Sequence, residues 1–233
     1  MLSDVMEDYL KAIYTLQTEQ GPPVATSDVA SALGKTPPTV TSMLTKLEER
    51  GLIIREKYKG AELTAEGETV ALEVVRHHRL LEAYLTEHLD YDWSEVHDEA
   101  DALEHHISEE FERRVAEALD DPEVDPHGDP IPSADLEPLE EEAASRLSQH
   151  AVGDRLVVTR VRDRDQSELD YLSEAGITPG TRIEVIDVAP FGMVTVRLPG
   201  EGREQSLPEG VAESIRVEPV DGGTDAVGEV GRT

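Results

Sequence analysis

The sequence predicts a mainly α-helical protein with a small β domain at its C-terminal end. Residues 1–75 contain three short helical apolar patterns followed by two short strands, and the next sixty residues place histidines and acids at helical spacing. From Gly153 the apolar period becomes two, which is typical of strands. The predicted order is a winged helix-turn-helix over 1–75, a helical domain over 76–133, a charged linker over 134–152, a small β-barrel over 153–219 and a disordered tail over 220–233.

The composition limits the chemistry that the chain can support. It has no cysteine, so disulfides, thiolate zinc sites and iron–sulfur clusters are excluded, and any metal must bind His, Asp, Glu or backbone oxygen. No segment approaches the roughly 18 consecutive apolar residues of a membrane helix, and the acidic N-terminal segment lacks the features of a secretory signal. The sequence therefore predicts a cytoplasmic protein without a membrane partner.

The net charge of −30, from 51 acidic and 21 basic residues, by itself argues against a nucleic-acid partner, because phosphates repel acidic surfaces. The distribution of charge changes this interpretation. Residues 1–75 hold seven Lys/Arg and twelve Asp/Glu, a net −5, and the remaining −25 lies elsewhere. Because salt at about 1 M shortens the Debye length to about 3 Å, a carboxylate-rich surface suits a salt-loaded cytoplasm, and we expect a halophilic source.

The winged helix is predicted from its apolar spacing and its turn residues. A helical repeat over Met6–Leu16 ends before the Gly-Pro-Pro at 21–23. Thr26–Asp28 offers N-caps for a short second helix, and Thr36 with two prolines starts a third helix that stops at Gly51. The segment Leu52–Thr64 follows as two strands that turn near residues 59 and 60, which predicts a wing.

The third helix is predicted to enter the major groove of double-stranded DNA. Its outer face presents hydroxyl groups to bases and backbone, and nearby lysines can bind phosphates. The helix lacks an Arg or Asn able to make two hydrogen bonds to one base, so we expect weak or shape-based sequence readout. A winged helix that contacts protein is the alternative. The residues predicted to face DNA are Thr36, Pro38, Thr39, Thr41, Ser42, Thr45, Lys46, Lys57 and Lys59.

Six of the eight histidines fall between residues 77 and 106, among acids at helical spacing. Residues three or four apart share one face of a helix. This spacing places one pair of candidate ligands on a first helix and a stripe of four candidate ligands on the next. Nitrogen and oxygen ligands suit Mn²⁺, Fe²⁺, Co²⁺, Ni²⁺ or Zn²⁺, and an oxygen-rich set without sulfur favours Mn²⁺ or Fe²⁺. A solvated charged face is the alternative. The candidate ligands are His78 with Glu82, and His97 with Asp101, Glu104 and His105.

The helix predicted to carry His97 and Asp101 also has an apolar stripe, which indicates a buried face. In so short a domain this face predicts a partner helix from a second subunit. A homodimer also fits helix-turn-helix geometry, in which two subunits read neighbouring half-sites. We expect the remaining histidines of this region, His77, His88 and His106, on outward faces or at the dimer seam. The stripe consists of Val96, Ala100, Leu103, Ile107 and Phe111.

These motifs resemble the diphtheria-toxin-repressor family of metal-dependent regulators, including its manganese-responsive branch. The resemblance implies a regulator, by default a repressor, of iron or manganese homeostasis genes, activated by Fe²⁺ or Mn²⁺, and no enzymatic activity. The segments at 97–100 and 126–132 are the most specific to that family. The matching segments are Met6–Leu16, Pro38–Val40, Leu63–Gly67, Arg76–Glu82, Val96–Asp101, Glu104–Ser108 and Pro126–Pro132.

The resemblance implies two metal sites. Toxin-repressor-like members place sulfur ligands where this chain has Asp8 and Asp101, whereas the manganese branch places acids there, which favours a harder ion. The manganese branch also has an acid at the position of Lys11, so its binuclear arrangement is not expected. An ion that joins Asp8 to the dimerisation helix would shift the winged helix toward a DNA-competent spacing. The implied ligands are Asp8, Asp101, Glu104 and His105 at the primary site, and His78, Glu82 and His97 at the ancillary site.

The C-terminal pattern resembles the SH3-like barrel of the longer family members. Strands are predicted at 156–161, 182–186, 193–198 and 215–217, with a short helix over 169–176, and another short helix is predicted within the linker near 140–144. In some relatives a barrel acid completes the ancillary site. That position falls on Arg160 here, which leaves Asp163 as the candidate.

Two alternatives of other classes remain from the residues alone. One is a winged-helix regulator whose effector is not a metal, with a structural role for the histidines. The other is a metallohydrolase, against which stands the lack of a His-Glu-x-x-His pair, a glycine-rich phosphate loop and a nucleophile elbow.

Overall fold

The computed structural model describes residues 2–56, 59–139, 144–163, 165–199 and 202–220. The chain divides into two compact units, residues 1–142 and 143–233. Three sequence expectations lie outside the described residues: the DNA contact of Lys57, most of the linker helix near 140–144 and nearly all of the predicted tail. No helix among the described residues is long and apolar enough to cross a membrane.

The first unit is helical apart from one two-stranded sheet. Helix α1 packs on α4, and the core between them and α3 contains the fully buried Leu10, Ile13, Leu44 and Leu72. The predicted winged helix is therefore confirmed. Its elements are α1 (Asp4–Gln20), α2 (Thr26–Ala32), α3 (Pro37–Glu49), β1 (Ile53–Glu56), β2 (Gly60–Leu63), α4 (Ala65–Leu89), α5 (Val96–Leu103) and α6 (Glu109–Ala118).

The wing is held against the loop before α2 by backbone hydrogen bonds. Strands β1 and β2 are antiparallel, with Ile53 opposite Leu63 and Glu56 opposite Gly60. Val24 and Ala61 exchange two backbone hydrogen bonds of 2.9 Å each. At Gly60, where φ is +142°, a Cβ would lie 1.9 Å from the Val24 carbonyl oxygen. Only glycine fits this approach, which explains its place at the start of β2.

Two predicted helix caps differ from the structure. Helix α2 begins at Thr26, so the predicted capping residues lie inside its first turn, and Ala25 occupies the N-cap position without a side-chain bond. Thr36 does occupy the N-cap position of α3. Its hydroxyl, however, pairs with the Thr39 hydroxyl at 2.9 Å and caps no backbone N–H.

Helix α4 joins the winged helix to the histidine-rich region without a break. It runs for 25 residues, so the predicted boundary between residues 75 and 76 falls inside a helix. Its N-cap is Thr64, whose hydroxyl accepts from Gly67 N at 3.1 Å and donates to Gly51 O at 2.8 Å. DNA-binding and histidine-bearing segments therefore share one rigid element.

The predicted single helix from residue 96 to 111 is wrong. Helix α5 ends at Leu103, and Ser108 starts α6 by accepting a hydrogen bond from Phe111 N at 3.3 Å. Val96 and Ala100 are buried, but Phe111 is 42% exposed, because it lies on a separate helix. His77 was expected on an outward face or at the dimer seam. It is buried within this chain, with Nδ1 3.1 Å from the Glu104 carbonyl oxygen. His88 and His106 are exposed.

The second unit is an antiparallel six-stranded sheet with two helices. Its strand order is β3-β8-β4-β5-β6-β7, and its core includes Leu156, Leu172 and Val196. The elements are β3 (Ser145–Arg146), a short 3-10 helix (Leu147–Gln149), β4 (Arg155–Val161), α7 (Gln166–Ala175), β5 (Arg182–Val188), β6 (Val194–Leu198), β7 (Arg203–Leu207), α8 (Glu209–Ser214) and β8 (Ile215–Pro219).

Sequence reasoning found β4, β5, β6, β8 and α7 but missed β3, β7 and α8. Strand β7 has one buried residue, Leu207, and therefore shows no alternating apolar pattern. The domain also starts earlier than predicted, because Ser145 already pairs with Val217.

Candidate metal centre

Three of the four predicted primary ligands converge. Asp8 lies on α1, and Glu104 and His105 form the turn directly after α5. His105 Nε2 lies 2.7 Å from Asp8 Oδ1 and 3.4 Å from Glu104 Oε1. Two ligands that bind one ion at right angles, each about 2.1 Å from it, are about 3 Å apart. The spacing and the nitrogen–oxygen chemistry of these residues, here called the primary cluster, therefore fit one divalent ion.

Asp101, the fourth predicted primary ligand, lies with a different group. Its Oδ1 is 3.2 Å from His78 Nδ1, and one ligand atom from each of His78, Asp101 and Glu104 lies within 4.8 Å of the others. Glu104 therefore belongs to both groups, while Asp101 is half-exposed at its side chain. Hydrogen bonding to His78 and the charge of Lys11 outweigh burial and hold the pKa of Asp101 well below its usual range.

The three predicted ancillary ligands converge as one cluster. His78 Nε2 lies 2.9 Å from Glu82 Oε1 and 3.0 Å from His97 Nδ1, and His97 Nδ1 lies 3.1 Å from Glu82 Oε1. Glu82 is fully buried and His78 is 3% exposed. These spacings again match the ligand edges of a single ion, and we call His78, Glu82 and His97 the ancillary cluster.

Buried charge pairing sets the protonation of the ancillary cluster. Burial alone would raise the pKa of Glu82, but the charge of His78 outweighs it and lowers that pKa well below its usual range. Burial alone would lower the pKa of His78, but Glu82 raises it well above the usual value. The positive charge of protonated His78 neutralises the Glu82 carboxylate. A metal cation that replaces the proton on His78 would neutralise the same carboxylate.

Lys11 connects the two clusters. Its Nζ donates to Glu104 Oε2 of the primary cluster at 2.7 Å, lies 2.9 Å from His78 Nδ1 of the ancillary cluster and also donates to Asp101 Oδ1 at 2.9 Å. Burial alone would lower the pKa of Lys11, but the charges of Glu104 and Asp101 raise it. The ammonium group is therefore a fixed positive charge between the two candidate sites.

Glu7 was not singled out by sequence reasoning. Its Oε2 lies 2.8 Å from His105 Nδ1, so it accepts from the ring nitrogen that does not face Asp8. Such a partner fixes the orientation of an imidazole ligand and leaves the other nitrogen available. Its position directly before Asp8 was the only signal in the sequence.

The segment after α6 is rich in Pro and Asp, and it carries three buried polar residues, Asp125, His127 and Asp129. Asp125 Oδ1 accepts from the backbone N–H of His127 at 2.8 Å and of Asp129 at 2.9 Å. His127 Nδ1 lies 3.6 Å from Glu82 Oε2. The signal in the sequence was the Pro-His-Gly-Asp-Pro run at 126–130.

Asp163 lies in the second unit, in the short segment that follows β4, and Arg160 lies within β4; both are half-buried.

The predicted DNA face is exposed on α3. Two of its hydroxyls donate to carbonyl groups of the same helix: Thr41 to Pro37 O at 2.9 Å, and Thr45 to Thr41 O at 3.0 Å. Arg55 of the wing donates to the Thr45 hydroxyl at 2.9 Å, which adds a cation that sequence reasoning did not assign. The exposed predicted contacts are Thr36, Pro38, Thr39, Thr41, Ser42, Thr45, Lys46 and Lys59.

A winged helix joined by one long helix to two nitrogen–oxygen clusters defines a DNA-binding protein with sites for divalent metal. Three family descriptions match successive parts of the chain. They are "Iron dependent repressor, N-terminal DNA binding domain" over residues 1–61, "Iron dependent repressor, metal binding and dimerisation domain" over 64–133, and "FeoA domain" over 145–219. The last is an SH3-like domain, as the sequence predicted.

The chain belongs to the iron-dependent repressor family. It is 34% identical over 230 residues to the iron-dependent repressor IdeR of Mycobacterium tuberculosis, covering 94% of this chain and 99% of the relative. It is 35% identical over 230 residues to the diphtheria toxin repressor of Corynebacterium efficiens, with 95% and 98% covered. A solved manganese-dependent transcriptional repressor in complex with manganese has a TM-score of 0.86 at 36% identity, with 92% and 100% covered.

Proposed function

We propose that this chain is a metal-dependent transcriptional repressor that binds operator DNA as a homodimer when Fe²⁺ or Mn²⁺ is bound. The observation that carries the proposal is the 2.7 Å approach of His105 Nε2 to Asp8 Oδ1, because it joins the first helix of the winged helix to the end of α5. The names of the relatives, iron-dependent and manganese-dependent repressors, support the same function.

The proposed primary ligands are Asp8, Glu104 and His105. Asp101, the fourth ligand that the family resemblance implies, lies against His78 in this structure and would have to turn toward the ion to bind it. When bound, the ion supplies positive charge that compensates these carboxylates. The residues of the chain then perform three tasks: Asp8 ties α1 to the site, Glu7 holds the ring of His105, and α4 connects the site to the wing. A ligand can shift such an equilibrium only by its difference in affinity between the two arrangements.

The proposed ancillary ligands are His78, Glu82 and His97, with Asp163 of the second unit as a further candidate. The ligand set without sulfur favours Mn²⁺ or Fe²⁺, and Zn²⁺, Co²⁺ and Ni²⁺ are expected to bind in vitro. We also propose that the protein works in a cytoplasm of high salt and controls iron or manganese homeostasis genes.

DNA binding in high-salt buffer tests the proposal. The promoter region of the protein's own gene is titrated with Mn²⁺, anaerobic Fe²⁺, Zn²⁺ or chelator present. We expect Mn²⁺ or Fe²⁺ to raise the affinity at least tenfold, about 1.4 kcal/mol of coupling. Equally tight binding in chelator would reject the metal switch and favour the regulator with another effector.

Variants localise the response. His105→Ala should abolish the tenfold gain in DNA affinity, because the primary cluster loses its only imidazole. His88→Ala removes an exposed histidine of α4 and should leave the gain unchanged. A metal response retained by His105→Ala would show that the primary ligands are misassigned.

A further inference from the structure

Two cations of the winged helix each lie beside a carboxylate of the same unit. Arg55 Nη1, on β1, is 3.8 Å from Glu48 Oε2 on α3, and Lys59 Nζ, in the turn of the wing, is 2.6 Å from Glu56 Oε2. Hydrogen bonding to Glu56 raises the pKa of Lys59. Because Arg55, Glu56 and Lys59 line one surface cavity, the two pairs adjoin. We call Arg55–Glu48 and Lys59–Glu56 the wing pairs.

Arg55 is held against the face of α3 that is predicted to meet DNA. Its Nη1 donates to the hydroxyl of Thr45 at 2.9 Å, and Thr45 is exposed on the same helix as Glu48. A guanidinium carries five N–H donors in a planar fork that suits phosphate oxygens. Since these contacts use only Nη1, the other two nitrogens can donate to an incoming phosphate group.

Both carboxylates of the wing pairs lie at the surface. The side chains of Glu48 and Glu56 are 45% and 47% exposed, and exposed ion pairs contribute little to stability. A phosphate can therefore replace either carboxylate without disturbing the fold. At about 1 M salt the Debye length is about 3 Å, so only charges close to contact still attract one another. Glu48 and Glu56 are among the few acids near enough to compete with DNA for these cations in such a solvent.

The exchange of a carboxylate for a phosphate changes how DNA affinity depends on salt. A protein cation that neutralises a phosphate of duplex DNA releases the salt cation held there, which contributes about 0.9 to the slope of log affinity against log salt. When the protein cation leaves a carboxylate to reach that phosphate, the vacated carboxylate attracts a cation from solution. The uptake of one cation offsets the release of the other, so the affinity falls less as salt rises.

We propose that Glu48 and Glu56 are built-in counterions of the DNA-binding surface, which duplex DNA displaces when its phosphates bind Arg55 and Lys59. The exchange lowers DNA affinity at low salt and makes it less sensitive to salt. It depends on the position of these two acids beside the cations and not on the net charge of −30. The inference rests on the proposed function, because it assigns part of the DNA contact.

DNA binding by the full chain from 0.2 M to 2 M KCl, with Mn²⁺ saturating, tests the wing pairs on the promoter fragment of its own gene. Glu48→Gln should steepen the slope of log affinity against log salt by about 0.5 to 0.9, a gain of about threefold to eightfold at the low-salt end of this tenfold range. Glu56→Gln should act in the same way. Glu49→Gln is the matched control, since it makes the same charge change at the next, exposed residue of α3, and it should leave the slope unchanged.

A double-mutant cycle separates the pair from the general effect of charge. Arg55→Gln alone should weaken DNA binding, because a phosphate contact is lost. On the Arg55→Gln background, Glu48→Gln should have no more effect than Glu49→Gln, since Glu48 then no longer competes for a cation that binds DNA.

Three results each overturn the inference: no gain in DNA affinity by Glu48→Gln, an equal gain by Glu49→Gln, or a gain by Glu48→Gln that persists on the Arg55→Gln background. The wild-type chain judges the proposed function separately. If its DNA affinity does not rise with Mn²⁺, the metal switch fails, while salt slopes measured in chelator still decide the role of the wing pairs.

Discussion

At the scale of single residues, Lys11 shows how an internal charge can limit metal binding. Its ammonium lies within 2.9 Å of carboxylate oxygens on Asp101 and Glu104, so these acids are already compensated in the absence of an ion. An incoming ion must compete with that charge for the same oxygens. Two unit charges about 4 Å apart interact by about 4 kcal/mol at an effective dielectric of about 20.

Lys11→Gln should therefore raise the apparent affinity for Mn²⁺ about tenfold and lower the free energy of unfolding of the metal-free protein. Calorimetric titration and urea unfolding in chelator measure the two effects. Lys35→Gln, at an exposed position, serves as the control. An unchanged or weaker Mn²⁺ affinity in Lys11→Gln would mean that Lys11 does not oppose the ion.

The convergence of two ligands could be predicted where both lie on one helix at helical spacing. It could not be predicted where tertiary structure brings the ligands together. His78 and Glu82 are four residues apart on one helix, so their convergence follows from the helical period. The separation of Asp101 from His105 does not, because it depends on where α5 ends. Asp125 and His127 gave no periodic signal, since they lie in an irregular segment that the fold buries against α4.

At the scale of elements, the two threonines that precede α3 and α4 form a natural comparison. Both occupy N-cap positions, but only the Thr64 hydroxyl accepts from a backbone N–H of its helix. Thr64→Ala should lower the free energy of unfolding by about 1 kcal/mol, as loss of a cap usually does. Thr36→Ala should change it by less than half as much; equal effects in urea unfolding would contradict this.

The wing depends on the absence of a side chain at residue 60. Gly60→Ala should lower the free energy of unfolding by at least about 2 kcal/mol, because the new methyl group would overlap the Val24 carbonyl in a conformation that L residues rarely adopt. Gly34→Ala is the matched control. It also has positive φ but nothing within 4 Å of the added atom, so about 1 kcal/mol of backbone strain is expected. Similar losses in thermal unfolding would argue against the contact.

The elements also show why sequence reasoning failed at particular points. The break between α5 and α6 was missed because apolar residues continue at helical spacing from Val96 to Phe111, while the Ser108 cap that starts a new helix resembles an ordinary helical serine. Strand β7 was missed because only Leu207 of its five residues is buried. Both failures arise where tertiary contacts, not local periodicity, determine the structure.

At the scale of the whole molecule, the net charge of −30 makes a prediction about solvent. At low ionic strength this many carboxylates repel one another, and salt screens the repulsion in the folded chain. The midpoint of thermal unfolding should rise steadily from 0.2 M to 2 M KCl. A flat or falling midpoint would argue against adaptation to a salt-loaded cytoplasm.

The length of α4 has a mechanical consequence. At about 1.5 Å per residue its 25 residues form a rod of about 38 Å, with the wing packed at one end and Glu82 in the other half. Tilting such a rod by about 5° moves its far end by about 3 Å, by the same dimensions. A small tilt set at the ligands is therefore amplified at the wing into a displacement comparable to the rise of one base pair. The bending stiffness of this helix determines how much of that displacement the wing undergoes when metal binds.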